Sequence, residues 1–170
     1  MAEILNNVNL ELHSASSRKA AGNGNSLPVE KVLEGQFNMT GSPMFHADLK
    51  SEFATFRMGC DEPTALGGRG VHTTPLTYLL FGVMACYSST LAAECALEGL
   101  ELPDLKIRGK LSYDLGPVVS DSRSPIIKGL KLEVISGKDI GQEIARAWKK
   151  CPAVYAIQNP ISTEIYQVKD

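Results

Sequence analysis

No Cys-x-x-Cys pair occurs in the 170 residues, and the three histidines (His13, His46 and His72) stand far apart. A zinc or other metal site therefore has no ligand pattern to rest on. Cysteine itself is scarce: Cys60, Cys86, Cys95 and Cys151 are too few to build a disulfide scaffold in a chain this long. Neither sign of charge is in excess. The formal net charge is −2 and the basic residues are scattered, which leaves no electrostatic footprint for nucleic acid. The first seven residues, Met1-Ala2-Glu3-Ile4-Leu5-Asn6-Asn7, have neither a basic start nor an apolar run. No secretory signal is expected, and the setting read from this is a cytoplasm that keeps thiols reduced.

What remains has the balance of an ordinary globular chain, 44% hydrophobic and 21% charged. One domain with an extra arm fits that length. Residues 1–32 read as the arm, partly flexible, because Ser14 to Ser26 is Ser, Ala, Gly and Asn with few large apolar residues. Residues 33–170 read as the folded domain.

Pro75 to Ala93 carries no charged residue and is long enough to span a bilayer. Against spanning stand Tyr87-Ser88-Ser89-Thr90 in its middle, Glu94 and Glu98 just beyond, and no flanking basic cluster. The segment is read as a buried central helix, with no membrane. Thr73 or Thr74 can cap it, Pro75 suits its first turn and Gly99 its stop. Gly82 costs about 1 kcal/mol of helix propensity relative to Ala, which points to a close neighbour at that position.

Around this helix the patterning is strand-like. Gln36 to Met39 breaks at the turn signature Thr40-Gly41-Ser42-Pro43, and Phe45 to Met58 resumes. Leu105 to Tyr113 and Leu130 to Val134 alternate with odd positions inward in the former, and Gly116 to Pro125 is turn or loop between them. Ser136-Gly137-Lys138-Asp139 resembles a capping box opening a helix with Ile140, Ile144 and Trp148 on one stripe. Pro152 ends or kinks it, Ala153 to Ile157 can form a short second helix, and Ile161 to Val168 is expected to close as a strand. Runs of strands around two helices argue an α+β fold.

Among the thiols, Cys95 follows Cys86 by nine residues, about 180° around a helix. They cannot share one site, and Cys95 is read as structural. Cys60 is in a loop with nothing to mark it as reactive. Cys151 directly precedes Pro152, where it can occupy a helix N-cap beside Lys149 and Lys150. Physics alone makes it the better candidate for a low-pKa thiol. Sequence does not show whether Cys86 and Cys151 meet.

The order Asp61-Glu62-Pro63, Gly67-Gly68, Thr74-Pro75, Leu79-Leu80, Gly82, Ala85-Cys86 and then Cys151-Pro152 resembles the OsmC/organic hydroperoxide resistance family, over about Leu33 to Val168. The resemblance implies an OsmC-like α+β fold, with antiparallel sheets around two central helices in an interleaved homodimer. It implies that Cys86 is the peroxidatic thiol and Cys151 the resolving one, closing an intramolecular disulfide. An organic hydroperoxide would be the substrate and an external dithiol the reductant, with no metal, haem or flavin. Two family features are missing here. An arginine in the N-terminal hairpin is replaced by Thr40-Gly41-Ser42-Pro43, and a glutamate at the start of the long helix by Leu76 and Thr77. Arg69 is the preferred substitute for the arginine, ahead of Arg57, because it follows two glycines whose backbone freedom lets the loop fold back. His72 is a further candidate neighbour. The alternative function is a non-catalytic, stress-related dimer binding an apolar ligand at the subunit interface. A third reading makes all four cysteines structural.

Overall fold

Asn6 and Asn7 adopt left-handed backbone conformations, with φ of 52° and 63°, a region that asparagine tolerates better than most residues. They reverse the chain between β1 (Ile4–Leu5) and β2 (Val8–Asn9), an antiparallel pair. These elements open a computed structural model that describes residues 3–168. The Asn6 side chain donates to the Leu100 carbonyl at 2.8 Å, and more weakly to that of Ala92 at 3.4 Å, and accepts from the Leu102 N–H at 2.7 Å.

Next comes α1 (Leu10–Ala21), which corrects the expectation of loop from Ser14 onward. Its signals are local: the Leu12 N–H donates to the Asn9 side chain at 3.0 Å, Glu11 occupies the first turn, and Arg18 and Lys19 the last. These charges complement the helix dipole, and the serines between them do not prevent a helix. The segment 26–34 that follows is irregular.

Three strands then form one antiparallel sheet in the order β3 (Gly35–Phe37), β4 (Phe45–Lys50), β5 (Thr55–Cys60). The expected turn lies between β3 and β4. Ser51 and Ala54 close the second turn, the Ser51 N–H donating to the Ala54 carbonyl at 2.8 Å. The register sets Phe45 opposite Cys60 and Asp48 opposite Arg57.

The long helix α2 (Pro75–Leu97) begins and ends where Pro75 and Gly99 predict, with Gly99 at φ 69°. Over 23 residues it extends about 34 Å. Near its start the Tyr78 hydroxyl donates to the Gly59 carbonyl at 2.9 Å, tying it to β5. By length and composition α2 is apolar enough to cross a membrane, with a mean hydropathy of 1.4 over its most apolar stretch. The helix expected to be buried is covered on part of its surface by its own chain. Within the chain only Val83, Tyr87, Leu91 and the Glu94–Ala96 turn are buried, while Phe81 is 66% exposed. Among the described residues of the chain, a Cβ at Gly82 would meet nothing within 4 Å, so the close neighbour expected there does not come from them.

The strands β6 (Lys106–Tyr113) and β7 (Ile127–Ile135) pair in a separate sheet, joined through the short α3 (Gly116–Val119) and a loop. After β7 the capping box does not form. The Ser136 hydroxyl accepts from the Lys138 N–H and the Asp139 carboxylate from the Gly141 N–H, two local turns that delay the helix. α4 (Gly141–Lys150) therefore starts at Gly141, and its buried side carries Ile140, Glu143 and Ala147 rather than Trp148, which is 45% exposed. The short helix α5 (Pro152–Gln158) follows as expected. Ile161 to Val168 is not a strand. Backbone groups there find no adjacent ladder, and a strand exists only when its N–H and C=O groups pair.

The chain divides into two compact units. A sheet unit comprises residues 14–81 and 109–132, and a helical unit comprises residues up to 13, 82–108 and 133 onward.

Candidate functional site

In the helical unit, Pro152 cannot extend α4 because it has no N–H to donate. Cys151 thus lies at the break, in an extended conformation (φ −72°, ψ 117°). Its N–H donates to Ala147 and closes α4, while its carbonyl accepts from Tyr155 and opens α5, both at 2.9 Å. The Cys151 side chain makes no cap bond to α5. Its S–H is instead directed at Cys86 on α2, Sγ to Sγ, at 3.6 Å. The two sulfurs left apart by sequence alone are brought together. Both thiols are free, and a disulfide of about 2.05 Å needs them to close by roughly 1.5 Å.

The two differ in access: Cys151 is fully buried and Cys86 is partly exposed. Burial pushes the Cys86 thiol up, the Ala153 N–H opposes that by favouring the thiolate, and the Cys151 thiol raises it again. Sequence reasoning had directed the start of α5 to the Cys151 sulfur; here its Ala153 amide acts on Cys86.

The remaining cysteines have surroundings that suppress reactivity. Cys95 is fully buried, and its pKa is raised chiefly by that burial and by Glu143. Cys60, at the end of β5, is raised by burial and by the carboxylates of Glu62 and Asp61.

In the sheet unit, Arg69 is on the loop after β5, exposed, with no hydrogen bond or ion pair among the described residues. The other candidate, Arg57, is held by Asp48 through Nε–Oδ1 at 2.7 Å and Nη2–Oδ2 at 2.8 Å. The loop is organised by Asp61, a residue that sequence reasoning quoted without giving it a role. Its buried carboxylate accepts from the Ser42 hydroxyl at 2.7 Å and from the N–H groups of Met44, Val71 and His72 at 2.8 to 3.0 Å. These bonds, the Ser42 hydroxyl foremost, hold Asp61 well below the usual carboxylate range. His72 faces the same group, its Nδ1 3.0 Å from the Ser42 hydroxyl. Gly68 allows the tight return of the loop, since a Cβ there would collide with the Glu62 backbone. An open groove of about 590 Å³ in this unit has a mixed lining, with Val32 and Leu33 beside His46, Lys50 and Arg57.

Sequence reasoning also missed a charged cluster in the helical unit. Glu94 of α2, nearly buried, receives Lys150 Nζ at 2.7 Å on one carboxylate oxygen and Arg146 Nε at 3.3 Å on the other. Arg146 further contacts Glu98 at 3.1 Å and Glu143 at 2.9 Å. A signal was present: Arg146 and Lys150 are four residues apart on a helix, hence on one face, opposite a lone carboxylate near the end of an uncharged helix. Among the described residues no group of three or more His, Cys, Asp or Glu could hold a metal ion.

Solved structures with this arrangement of elements include an OsmC-like protein from Mycoplasma pneumoniae, 18% identical, with a TM-score of 0.57 over 78% of this chain and 89% of that one. An organic hydroperoxide resistance protein OsmC from Legionella pneumophila is 20% identical, with a TM-score of 0.52 over 77% and 92% of the two chains. The organic hydroperoxide resistance protein from Elizabethkingia anophelis, solved with thiocyanate bound, is 16% identical, with a TM-score of 0.52 over 78% and 91%. No match was found among curated proteins. At these identities the likeness establishes the fold. The family itself follows from the sequence: residues 67–166 match the OsmC-like protein family, more than half of the chain, and the chain belongs to it.

Proposed function

We propose that the chain is a thiol-dependent peroxidase that reduces organic hydroperoxides through Cys86, with Cys151 as the resolving thiol. The observation that carries this reading is the Cys151 S–H directed at the Cys86 sulfur at 3.6 Å. Membership of a family whose structural neighbours include organic hydroperoxide resistance proteins supports a peroxide-related stress role. The Cys86 thiolate attacks the O–O bond and takes one oxygen as sulfenic acid, while the other leaves, protonated, as the alcohol. Condensation with the Cys151 thiol then forms the S–S bond and releases water. An external dithiol reduces that bond by exchange and is itself oxidised. The apolar character of α2 favours organic hydroperoxides over hydrogen peroxide.

Large apolar side chains left exposed on the single chain, Leu79 and Phe81 among them, support a homodimer that covers α2. The working form is then two chains in a cytoplasm that keeps their thiols reduced. One observation favours the second reading, a non-catalytic dimer with an apolar ligand. Burial raises the Cys86 thiol, and no cation among the described residues figures in its shift, so turnover needs one. Arg69 is the candidate for that role.

Stoichiometric organic hydroperoxide added to the reduced protein, followed by intact mass and peptide mapping, separates the two. The peroxidase loses the Cys86 and Cys151 thiols rapidly, and Cys151→Ser accumulates sulfenic acid at Cys86. Thiols that survive this treatment would leave the binding dimer as the better account.

A further inference from the structure

We infer that Glu94 is a positioning residue for the thiol pair, acting through Lys150 and Arg146 to hold the α4–α5 break against α2. It rests on the reading of Cys86 and Cys151 as a pair that closes. Glu94 follows Cys86 by eight residues on α2, about 12 Å along the axis, too far for direct action on the sulfur. It does not figure among the groups that shift Cys86. What it does touch is the residue immediately before Cys151: Lys150 Nζ is 2.7 Å from Oε1. Arg146, one turn earlier on α4, takes Oε2 at 3.3 Å. One nearly buried carboxylate thus binds two successive turns of the helix that ends at Cys151.

The chemistry explains why such an anchor matters at this point. A buried carboxylate is costly unless paired, so Glu94 holds both cations against α2, Arg146 partly buried and Lys150 still open to solvent. Lys150 and Cys151 are adjacent, and fixing one backbone limits the other. The Cys151 sulfur has no bond to α5 to hold it. Its direction toward Cys86 comes from the α4–α5 break, and the break is fixed by Glu94. The expected effect is on the effective concentration of one thiol at the other.

The test is the thiol–disulfide equilibrium of the full chain in glutathione buffers. Glutathione disulfide accepts two electrons and leaves as two thiols while Cys86 and Cys151 each lose a hydrogen to form the bridge. Glu94→Gln lowers the equilibrium constant roughly tenfold and Lys150→Gln roughly threefold, the latter less because Lys150 is half-exposed and Arg146 still holds the carboxylate. Lys150→Arg retains the wild-type value. Glu98→Gln, which removes only an exposed partner of Arg146, leaves it unchanged. The pH profile of Cys86 alkylation moves in the variants that lower the constant and stays fixed in Glu98→Gln, because the Ala153 N–H and the Cys151 thiol that act on Cys86 are carried by the same break, a readout that a merely structural role would not move.

If Glu94→Gln does not fold, Lys150→Gln carries the test alone. Variants that lower thermal stability while the glutathione equilibrium stays at the wild-type value overturn the inference, because Glu94 is then merely structural. The measurement needs no peroxide. A chain inert to hydroperoxide whose glutathione equilibrium still responds to Glu94→Gln would sink the peroxidase reading and leave this one standing.

Discussion

Tyr87, the residue after Cys86, donates its hydroxyl to the carbonyl of Ile144 at 3.3 Å. The helix that bears one thiol is thereby bonded to the helix that leads to the other. Tyr87 is buried, and its hydroxyl bond joins the two helices. Removing the hydroxyl alone, in Tyr87→Phe, is expected to cost about 1 kcal/mol of stability. The urea midpoint should fall with its slope unchanged. A midpoint equal to that of the parent protein would show that the bond adds nothing.

Oxidation is expected to join Cys86 to Cys151 and leave Cys60 and Cys95 as thiols. The contact at 3.6 Å points that way. Peptide mapping after mild oxidation reads the result directly. Cys60 in the principal bridge would overturn the assignment.

Asp61→Asn is expected to loosen the loop between β5 and α2. An amide nitrogen would face groups that are themselves donors, the Val71 and His72 N–H among them. The pH dependence has a definite sign. Asp61 is depressed in the folded chain, so it contributes stability that is fully present above the ordinary carboxyl pKa of about 3.9. That contribution fades as pH falls below this value. Acid titration of melting temperature should show a shallower fall in Asp61→Asn than in the parent, from a lower plateau at neutral pH.

Arg69→Ala tests the activation of Cys86. A cation beside a thiolate favours its charged form, and the expected result is an alkylation profile moved to higher pH. Each unit of movement corresponds to about 1.4 kcal/mol. Superimposable profiles would remove Arg69 from the mechanism.

Phe81→Glu is expected to yield monomers in sedimentation experiments, because a charge on the exposed face of α2 opposes its burial by a second copy. A dimer of undiminished stability would place the interface elsewhere.

The limits of α2 were legible because Pro75 and Gly99 act through the backbone alone, whatever surrounds them. So was the alternation of β6 as far as Leu111, where Ile107 and Leu111 are more covered than Lys106 and Lys110, whereas Tyr113, expected inward, is exposed and Ser112 is the more covered. Other features depend on partners that no local pattern names. Ser136 and Asp139 have the composition of a cap, yet each bonds two residues ahead in its own turn. Ile161 to Val168 has the composition of a strand but no neighbour to pair with. α1 was missed for the opposite reason, a serine-rich stretch made helical by Asn9 and by end charges. The thiol pair was legible only through family resemblance, since 65 residues separate the two sulfurs. Glu94 was read only as an argument against a membrane span, because its partners Arg146 and Lys150 are more than 50 residues away.

The clasp of Asn6 onto Leu100 and Leu102 has a consequence for how the protein is made. Its partners are 94 and 96 residues further along the chain. Translation proceeds from the amino end at about 5–20 residues per second, so the β1–β2 turn waits several seconds before the segment after α2 that it binds has been synthesised. Ala92, its weaker acceptor, arrives only slightly sooner. The β1–β2 turn therefore reaches its place only after the whole of α2 has been made.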